Sequence, residues 1–286
     1  MKIALPKGRL LADTAALLER ADWQLNDYQS KARLYRLTSA RFPEFSAKML
    51  HEKDIPIQVA IGNYDLGICG ADWLEEMVSR YRFSSIVNIK TLGYGEGALF
   101  VASASDDGIN ELSDLATCED KVRLASEYPN LAEKLALDLR LKNFAVYPLW
   151  GSAEAYPPET AEVVILPRKS PDELISKGLN ILGKIMDFKA VLIANRESLA
   201  KNDLSAAISS ILRNTLPTQP SKVPHEIKVA KTIEAYHEYR EDVVRLALPD
   251  GHQQPHVRRI LDAAGIKIED YPSDRGLRRP KSDLEG

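Results

Sequence analysis

Apolar and polar positions alternate along this chain in the manner of short buried strands separated by amphipathic helices. Ile3-Ala4-Leu5 reads as a strand ended by Pro6, Lys7 and Gly8. The run Leu10 to Ala21 has helical spacing, with Leu10, Thr14, Leu17, Leu18 and Ala21 on one face. Trp23 and Leu25 begin an extended segment that Leu34 to Leu37 continue, and Lys48 to Leu50 form the next strand. Asp54, a good N-cap, opens a helix with Pro56 in its first turn, and Gly62 stops it. Asp65 to Gly70 is a short buried strand leading straight into a helix start at Ala71-Asp72-Trp73. Strands at Ile86 to Leu92 and Ala98 to Ala102 are separated by the glycine-rich segment Gly93 to Gly97.

A second α/β unit runs from about Phe100 to about Lys184. Within it Val122 to Ala125 alternates as a strand, Ser126 to Asn130 turns, and Leu131 to Leu137 has helical spacing with Asn130 as the expected N-cap. Ala145 to Leu149 and Ala190 to Ala194 are further strands, and a helix is expected over Leu204 to Leu216. The prolines of Thr218 to Pro224 mark a linker, followed by helical spacing in His225 to Arg240 and a strand at Val243 to Leu248.

Composition narrows the class. A chain of 286 residues with 44% hydrophobic and 28% charged positions suits a soluble globular protein of two domains. A net charge of −3 gives no footprint for nucleic acid. Cys69 and Cys118 are too few for a disulfide framework. The opening MKIALPKGRL lacks the apolar run of a signal peptide and no later run suits a bilayer, so a cytoplasmic protein without a membrane partner is expected.

Candidate chemistry gathers at strand-to-helix turns. A helix N-terminus exposes backbone N–H groups and the positive end of its dipole, which together favour an anion. Arg123 and Ser126 stand beside the turn that holds Tyr128 and Asn130; Lys7, Gly8 and Arg9 form a similar turn with two cations. Gly67 and Gly70 permit close approach at a strand's end, and Asp72 serves as a cap, a ligand contact, or both. Every α/β unit has such turns and most bind nothing, so spacing alone leaves the bland reading open at each of them.

In combination, these segments resemble the catalytic subunit of the ATP phosphoribosyltransferase family. Ala4-Leu5-Pro6-Lys7-Gly8-Arg9-Leu10, Asp54-Ile55-Pro56, Asp65-Leu66-Gly67-Ile68-Cys69-Gly70-Ala71-Asp72 and Arg123-Leu124-Ala125-Ser126-Glu127-Tyr128-Pro129-Asn130-Leu131 carry the likeness. Gly151-Ser152-Ala153-Glu154 and Val191 to Asn195 follow in the family's order. The resemblance, over about Lys2 to Leu216, implies two α/β lobes of the type II periplasmic-binding-protein class with the active site in the cleft. It implies one lobe from 1–92 with 188–216, a second from 93–187, and crossings near Thr91 to Gly97 and Gly183 to Lys189. It also implies condensation of ATP with phosphoribosyl pyrophosphate, the first step of histidine biosynthesis, with Mg2+ as cofactor and no protein side chains assigned to the metal. A homo-oligomer and a separate regulatory subunit are the partners it suggests. Lys7, Gly8, Arg9, Gly70, Asp72, Arg123, Ser126, Tyr128, Asn130 and Glu154 match cleft positions of the family.

One stretch departs from the pattern. Where the family cradles the 5-phosphate with threonine-glycine-threonine, this chain has Arg168-Lys169-Ser170-Pro171-Asp172-Glu173. Proline removes a donor and two carboxylates repel a phosphate, although Arg168 and Lys169 supply charge. A second departure is Ala98, where the family usually has a basic residue. Two function classes therefore stand side by side: the enzyme itself, and a non-catalytic or regulatory paralogue that binds a nucleotide or another phosphorylated small molecule.

The tail, 217–286, reads as a C-terminal βαβ-type extension resembling a partial repeat of 1–44. Leu246-Ala247-Leu248-Pro249-Asp250-Gly251 follows Ile3 to Gly8, and without a gap the same register aligns Ala264 with Ala21, Asp270 with Asp27 and Tyr271 with Tyr28. Asp250 and His252 replace Lys7 and Arg9, so this copy lacks the cations and reads as structural.

Overall fold

A computed structural model describes residues 1–30, 35–81, 85–105, 108–215, 248 and 253–268. The expected linker, the helix at His225 to Arg240, all but Leu248 of the strand at Val243 to Leu248 and most of the tail alignment lie outside the described residues.

The first sheet takes β1 (Lys2–Lys7), β2 (Arg36–Thr38), β3 (Ser46–His51), β4 (Leu66–Gly70), β5 (Ile86–Thr91) and β11 (Ala190–Asn195) in the order β2-β3-β1-β4-β11-β5. β1 runs parallel to β3 and β4, whereas β11 enters antiparallel between β4 and β5. The second sheet takes β6 (Gly97–Ala104), β7 (Val122–Ser126), β8 (Phe144–Pro148), β9 (Val163–Arg168) and β10 (Leu179–Phe188) in the order β10-β6-β9-β7-β8. Ile3 and Ile68 therefore belong to one sheet and Val146 to the other, and the fold is the two-lobed α/β class expected.

The passages between sheets are short. Leu92 to Glu96 lead from β5 to β6, and on the return a single residue, Lys189, separates β10 from β11. The sequence places a crossing over Gly183 to Lys189; the structure makes that stretch the end of a ten-residue strand paired with β6. Mixed polar and apolar residues hide this strand, because its burial pattern is irregular and its register with β6 slips twice. The two passages are tied by Leu92 N–H to the Ala190 carbonyl (2.9 Å) and Ala190 N–H to the Tyr94 carbonyl (2.8 Å).

The helices α1 (Leu11–Arg20), α2 (Ile55–Ala60), α3 (Ala71–Arg80) and α8 (Ser205–Arg213) serve the first lobe. Leu10, Thr14, Leu17, Leu18 and Ala21 are all buried, as the spacing predicts. Trp23 packs with Phe42 and Phe45 beneath α1, at ring-centroid distances of 4.9 and 5.6 Å. In the second lobe α4 (Leu112–Thr117) and α5 (Pro129–Asp138) bury Leu112, Leu115, Ala132, Leu135 and Ala136 against β6, β7 and β9. Both cysteines are free thiols, Cys69 buried in β4. No helix among the described residues is long and apolar enough to cross a membrane.

Within the tail, helix α9 spans Gln254–Ala263, the residues that the repeat register sets against Leu11–Arg20. The closing bonds match as well. Ala21 N–H donates to the Leu17 carbonyl and Trp23 N–H to that of Leu18; Ala264 N–H donates to Ile260 and Ile266 N–H to Leu261. Asp22 and Gly265, aligned in that register, both take positive φ, +57° and +74°. The helices differ in burial, for α9 buries no residue and Ile260 is 67% exposed, whereas its counterpart Leu17 is fully buried.

Candidate functional site

At the end of β1, Gly8 adopts φ +90° with open space where a side chain would lie, and the chain turns into α1. Only glycine takes that conformation without strain. Lys7, half-buried, places its ammonium 5.2 Å from the centre of the Tyr35 ring. Arg9 turns the other way, towards the junction of the lobes. Its Nη2 meets Glu52 Oε2 at 2.7 Å and Asp72 Oδ2 at 3.2 Å, its Nη1 donates to the Gly95 carbonyl at 3.5 Å, and its guanidinium lies 4.9 Å from the Phe188 ring centre. Burial disfavours the Arg9 cation, but Asp72 and Glu52 more than offset it and its pKa rises. Burial drives the Glu52 carboxyl upward despite Arg9 and the Leu10 N–H.

Asp72 stands in the first turn of α3 and is fully buried. Across the junction the Tyr128 hydroxyl donates to its Oδ2 at 2.8 Å, and the Tyr128 ring stacks on Trp73 at 4.2 Å. Gly70 makes this arrangement possible: a Cβ there would overlap Asp72 Oδ1 and lie 2.7 Å from the Arg9 guanidinium. Glycine at Gly70 thus serves an ion pair crossing the backbone.

The turn between β7 and α5 is already satisfied by the protein itself. Ser126 Oγ donates to the Ile165 carbonyl (2.8 Å) and accepts from Tyr128 N–H (2.9 Å). Tyr128 is the N-cap and Pro129 the first helical residue, so Asn130 lies inside α5 and is not its cap. Proline explains the shift, because its fixed φ suits the first helical position. The free N–H groups of Asn130 and Leu131 donate to Glu76 of the first lobe, at 2.9 Å each. Arg123 is held away from the turn by Glu162, with Nε and Nη2 on Oε1 at 2.9 and 2.5 Å.

The divergent stretch has its own counterions. Glu154 pairs with Arg168 at 2.9 Å and with Lys177, whose hydrogen bond holds the Glu154 carboxyl below its ordinary pKa. Arg168 also lies 4.0 Å from Glu173. Asp172 N–H donates to Ser170 Oγ, and the Ser170 hydroxyl donates to Asp172 Oδ2, both at 3.2 Å. Lys169 is exposed. In the β6–β9 register Arg168 lies directly opposite Ala98, so a cation stands next to the position where the family's basic residue is missing.

The structure thus joins Arg9, Gly70, Asp72 and Tyr128 in one cluster, and Glu154, Arg168 and Glu173 in another. It keeps Arg123 in a separate ion pair. Sequence reasoning missed Glu52, Glu76, Glu162, Lys177 and Phe188. Only Glu76 had a legible signal: Asp72, Glu76 and Arg80 are spaced by four and share a helix face. Among the described residues no group of three or more His, Cys, Asp or Glu side chains is arranged to hold a metal.

Two α/β lobes, tied by two short passages, meet over a charged cluster at strand ends, the place where α/β sheets gather their ligands, and define a two-lobed α/β protein. The ATP phosphoribosyltransferase family model matches residues 51–215. The chain belongs to that family, whose enzymes join ATP to phosphoribosyl pyrophosphate in the first step of histidine biosynthesis. It is 33% identical over 202 residues to ATP phosphoribosyltransferase of Caldicellulosiruptor bescii, covering 69% of this chain and 90% of that protein. A relative of the same name from Gemmatimonas aurantiaca is 31% identical over 224 residues, covering 74% and 73%. Among solved structures, the ATP phosphoribosyl transferase (HisG:HisZ) complex from Thermotoga maritima superposes with a TM-score of 0.62 at 19% identity, over 75% of this chain and 98% of that one.

Proposed function

We propose that this chain carries out the family's condensation itself, with the nucleotide phosphates at Lys7, Gly8 and Arg9 and the reaction enclosed between the lobes. The observation that carries the reading is the Lys7-Gly8-Arg9 turn, where a cation without an ion pair among the described residues adjoins open backbone at a strand's carboxyl end. Phosphate contacts to charged groups are the strong ones, and a displacement at the ribose carbon needs both substrates held in line. Asp72 and Tyr128, bonded across the junction, set the closed geometry; Gly70 gives them room. Arg123, Ser126 and Asn130 act on the shape of the opposite wall through the bonds they make within the protein. Glu154 acts through Arg168, which it orients towards the phosphoribosyl side.

Mg2+ would supply charge neutralisation between the two phosphate chains. Glu52 and Asp72 are both engaged by Arg9, so the metal fits as a passenger on the substrates rather than as a resident ion. We further assign one lobe to 1–92 with 188–216, a second to 93–187 and an extension to 217–286, in a cytoplasmic homo-oligomer. The HisG:HisZ assembly of the Thermotoga relative makes a separate regulatory chain a reasonable partner.

The carboxylates of Asp172 and Glu173 favour a second reading, a paralogue that binds nucleotide and regulates. Mixing the full chain with ATP, phosphoribosyl pyrophosphate and Mg2+ separates the two. Pyrophosphate release supports the enzyme; ATP binding by calorimetry without pyrophosphate release supports the paralogue.

A further inference from the structure

At the end of the first sheet remote from the cleft, the strand register sets cations against one another. Arg36 of β2 lies directly opposite Lys48 of β3, and Lys48 lies opposite Ala4 of β1. Lys2 opens β1 opposite Ser46, two residues before Lys48. Side chains alternate along a strand, so Arg36, Ser46, Lys48 and Lys2 share the face on which Ala4 packs against Ile55 and Val59 of α2. Beyond the edge of α2 these residues, with Gln58, Asn63 and Tyr64, line a groove of about 490 Å3.

Among the described residues no carboxylate lines that groove. Among the described residues Lys2, Arg36 and Lys48 make no ion pair. The neighbouring acid, Asp65, is occupied by the backbone N–H of Lys2 at 2.6 Å and by the Asn202 amide at 3.2 Å. Other exposed or half-buried arginines of the protein have carboxylate partners, Arg41 with Asp22, Arg80 with Glu133 and Arg123 with Glu162. Like charges directly opposite in a sheet are destabilising, and here nothing in the groove relieves them. The amides add donors, because Asn63 Nδ2 bonds Gln58 Oε1 at 3.0 Å and leaves the Gln58 –NH2 group to donate elsewhere. The volume exceeds what one inorganic anion needs and falls within the range of small-molecule sites.

We propose that this groove binds a phosphate-bearing small molecule, with the phosphate between Arg36 and Lys48 and the remainder against Tyr64 and the Gln58–Asn63 pair. The site is separate from the cleft. Lys2 and Lys7 stand at opposite ends of β1, roughly 16 Å apart at the usual rise of an extended strand. An occupant therefore reaches the first lobe from outside the reaction site, as an effector does, and the proposal stands whether or not the cleft is catalytic.

The test uses the full chain and two readouts. Amine acetylation of Lys48, followed by mass spectrometry, is measured in chloride, inorganic phosphate, ribose 5-phosphate and AMP at matched ionic strength. Acetylation should slow about tenfold when a probe is present at about ten times its Kd, since the free fraction falls in that proportion. Greater protection by the esters assigns an organic phosphate; equal protection by inorganic phosphate assigns the bare anion to the same site. Thermal unfolding of the Arg36→Gln/Lys48→Gln variant gives the second readout. Without any probe it should melt no lower than the unaltered protein, and its rise in Tm with phosphate ester should shrink. Unchanged Lys48 acetylation with every probe overturns the proposal. So does a variant that melts lower in chloride and responds to the esters as the unaltered protein does.

Discussion

The carboxylate of Glu76 accepts the backbone N–H of Leu131 across the junction of the lobes at 2.9 Å, and that of Asn130 at the same distance. A side chain of the first lobe therefore fills the anion seat at the start of α5. Two neighbours on the same face of α3 reinforce it, Asp72 on Tyr128 and Arg80 on Glu133 at 3.4 Å. The last pair is exposed and contributes little, so closure rests on Asp72 and Glu76.

Glu76→Gln keeps one acceptor but loses the charge. The amide nitrogen that replaces the second oxygen cannot accept, so one of the two N–H bonds is lost and the variant should be less stable by about 1 kcal/mol. Hydrogen exchange at Asn130 and Leu131 should quicken more than at Leu135 in the same helix. Exchange that is unaltered at both amides would show that the cap does not hold the helix start.

Stability should also respond to pH in two opposed ways. Burial raises the pKa of Glu76 and of Glu52, against the pull of the hydrogen bonds each makes. The folded protein then keeps protons that the unfolded chain releases, so stability falls as pH rises from about 4.3 through the raised values. Glu162 is the converse case. Burial pushes its carboxyl up, but the hydrogen bonds from Arg123 bring it below the ordinary value, and its contribution is lost as pH falls through that lowered value. Melting curves across the acid range should show Glu52→Gln flattening the loss on the higher side and Glu162→Gln flattening the loss on the lower side. Parallel curves for all three proteins would remove these groups from the linkage.

How far these sites could be read from the sequence depended on whether the signal was local. The face Leu10, Thr14, Leu17, Leu18 and Ala21 is periodic and was legible, as were Gly62 at the end of α2 and the strand Leu66–Gly70. β10 was not, because its interrupted register leaves no alternation to follow. The residues of the cleft turn were also legible as types, but their partners were not. Glu52 lies 43 residues from Arg9, and Glu162 lies 39 from Arg123. Spacing within one element cannot report an ion pair formed by packing two elements together. The sequence therefore presented Arg9 and Arg123 alike as cations available for phosphate, and folding gave each a carboxylate first.

Lys7 and Arg9, equivalent in the sequence, should separate in experiment. Lys7→Ala removes a half-buried cation that lies over the Tyr35 ring and has no ion pair among the described residues, and it should leave Tm nearly unchanged while weakening ATP binding. Arg9→Ala leaves buried Asp72 and Glu52 without their shared countercharge. That should cost about 3 kcal/mol, the low end for stranding a buried charge, because Arg9 itself is 39% exposed on its side chain. Equal melting temperatures for the two variants would contradict the ion-pair assignment.

Gly70→Ala tests the same cluster without touching a charge. The added methyl overlaps Asp72 Oδ1 and approaches the Arg9 guanidinium to 2.7 Å, so one of the two must move. Overpacking of this kind costs about 1–3 kcal/mol. The Tyr128 hydroxyl should lose its bond to Asp72 in consequence, and the Tyr128→Phe substitution should cost less in the Gly70→Ala background than in the unaltered protein. Full additivity in that double-mutant cycle would place Gly70 outside the cluster.

The divergent loop supplies the last test, and the structure reduces the effect expected from charge alone. A carboxylate about 4 Å from a phosphate charge costs on the order of 4 kcal/mol at an effective dielectric constant near 20, but only about 1 kcal/mol in water. Asp172 and Glu173 are exposed, so the lower figure governs, at roughly fivefold in affinity for each. Glu173 also draws on Arg168, which Glu154 already holds at 2.9 Å. Exchanging Asp172→Thr together with Glu173→Gly removes both repulsions and returns Arg168 to a single partner. Phosphoribosyl pyrophosphate should then bind about twenty-five-fold more tightly, while ATP affinity, which we propose is set at the Lys7 turn in the other lobe, should stay nearly constant. Calorimetry on the two proteins decides the matter. If the unaltered chain already binds phosphoribosyl pyrophosphate as tightly as ATP, Asp172 and Glu173 face away from the phosphate and the loop is no obstacle to catalysis.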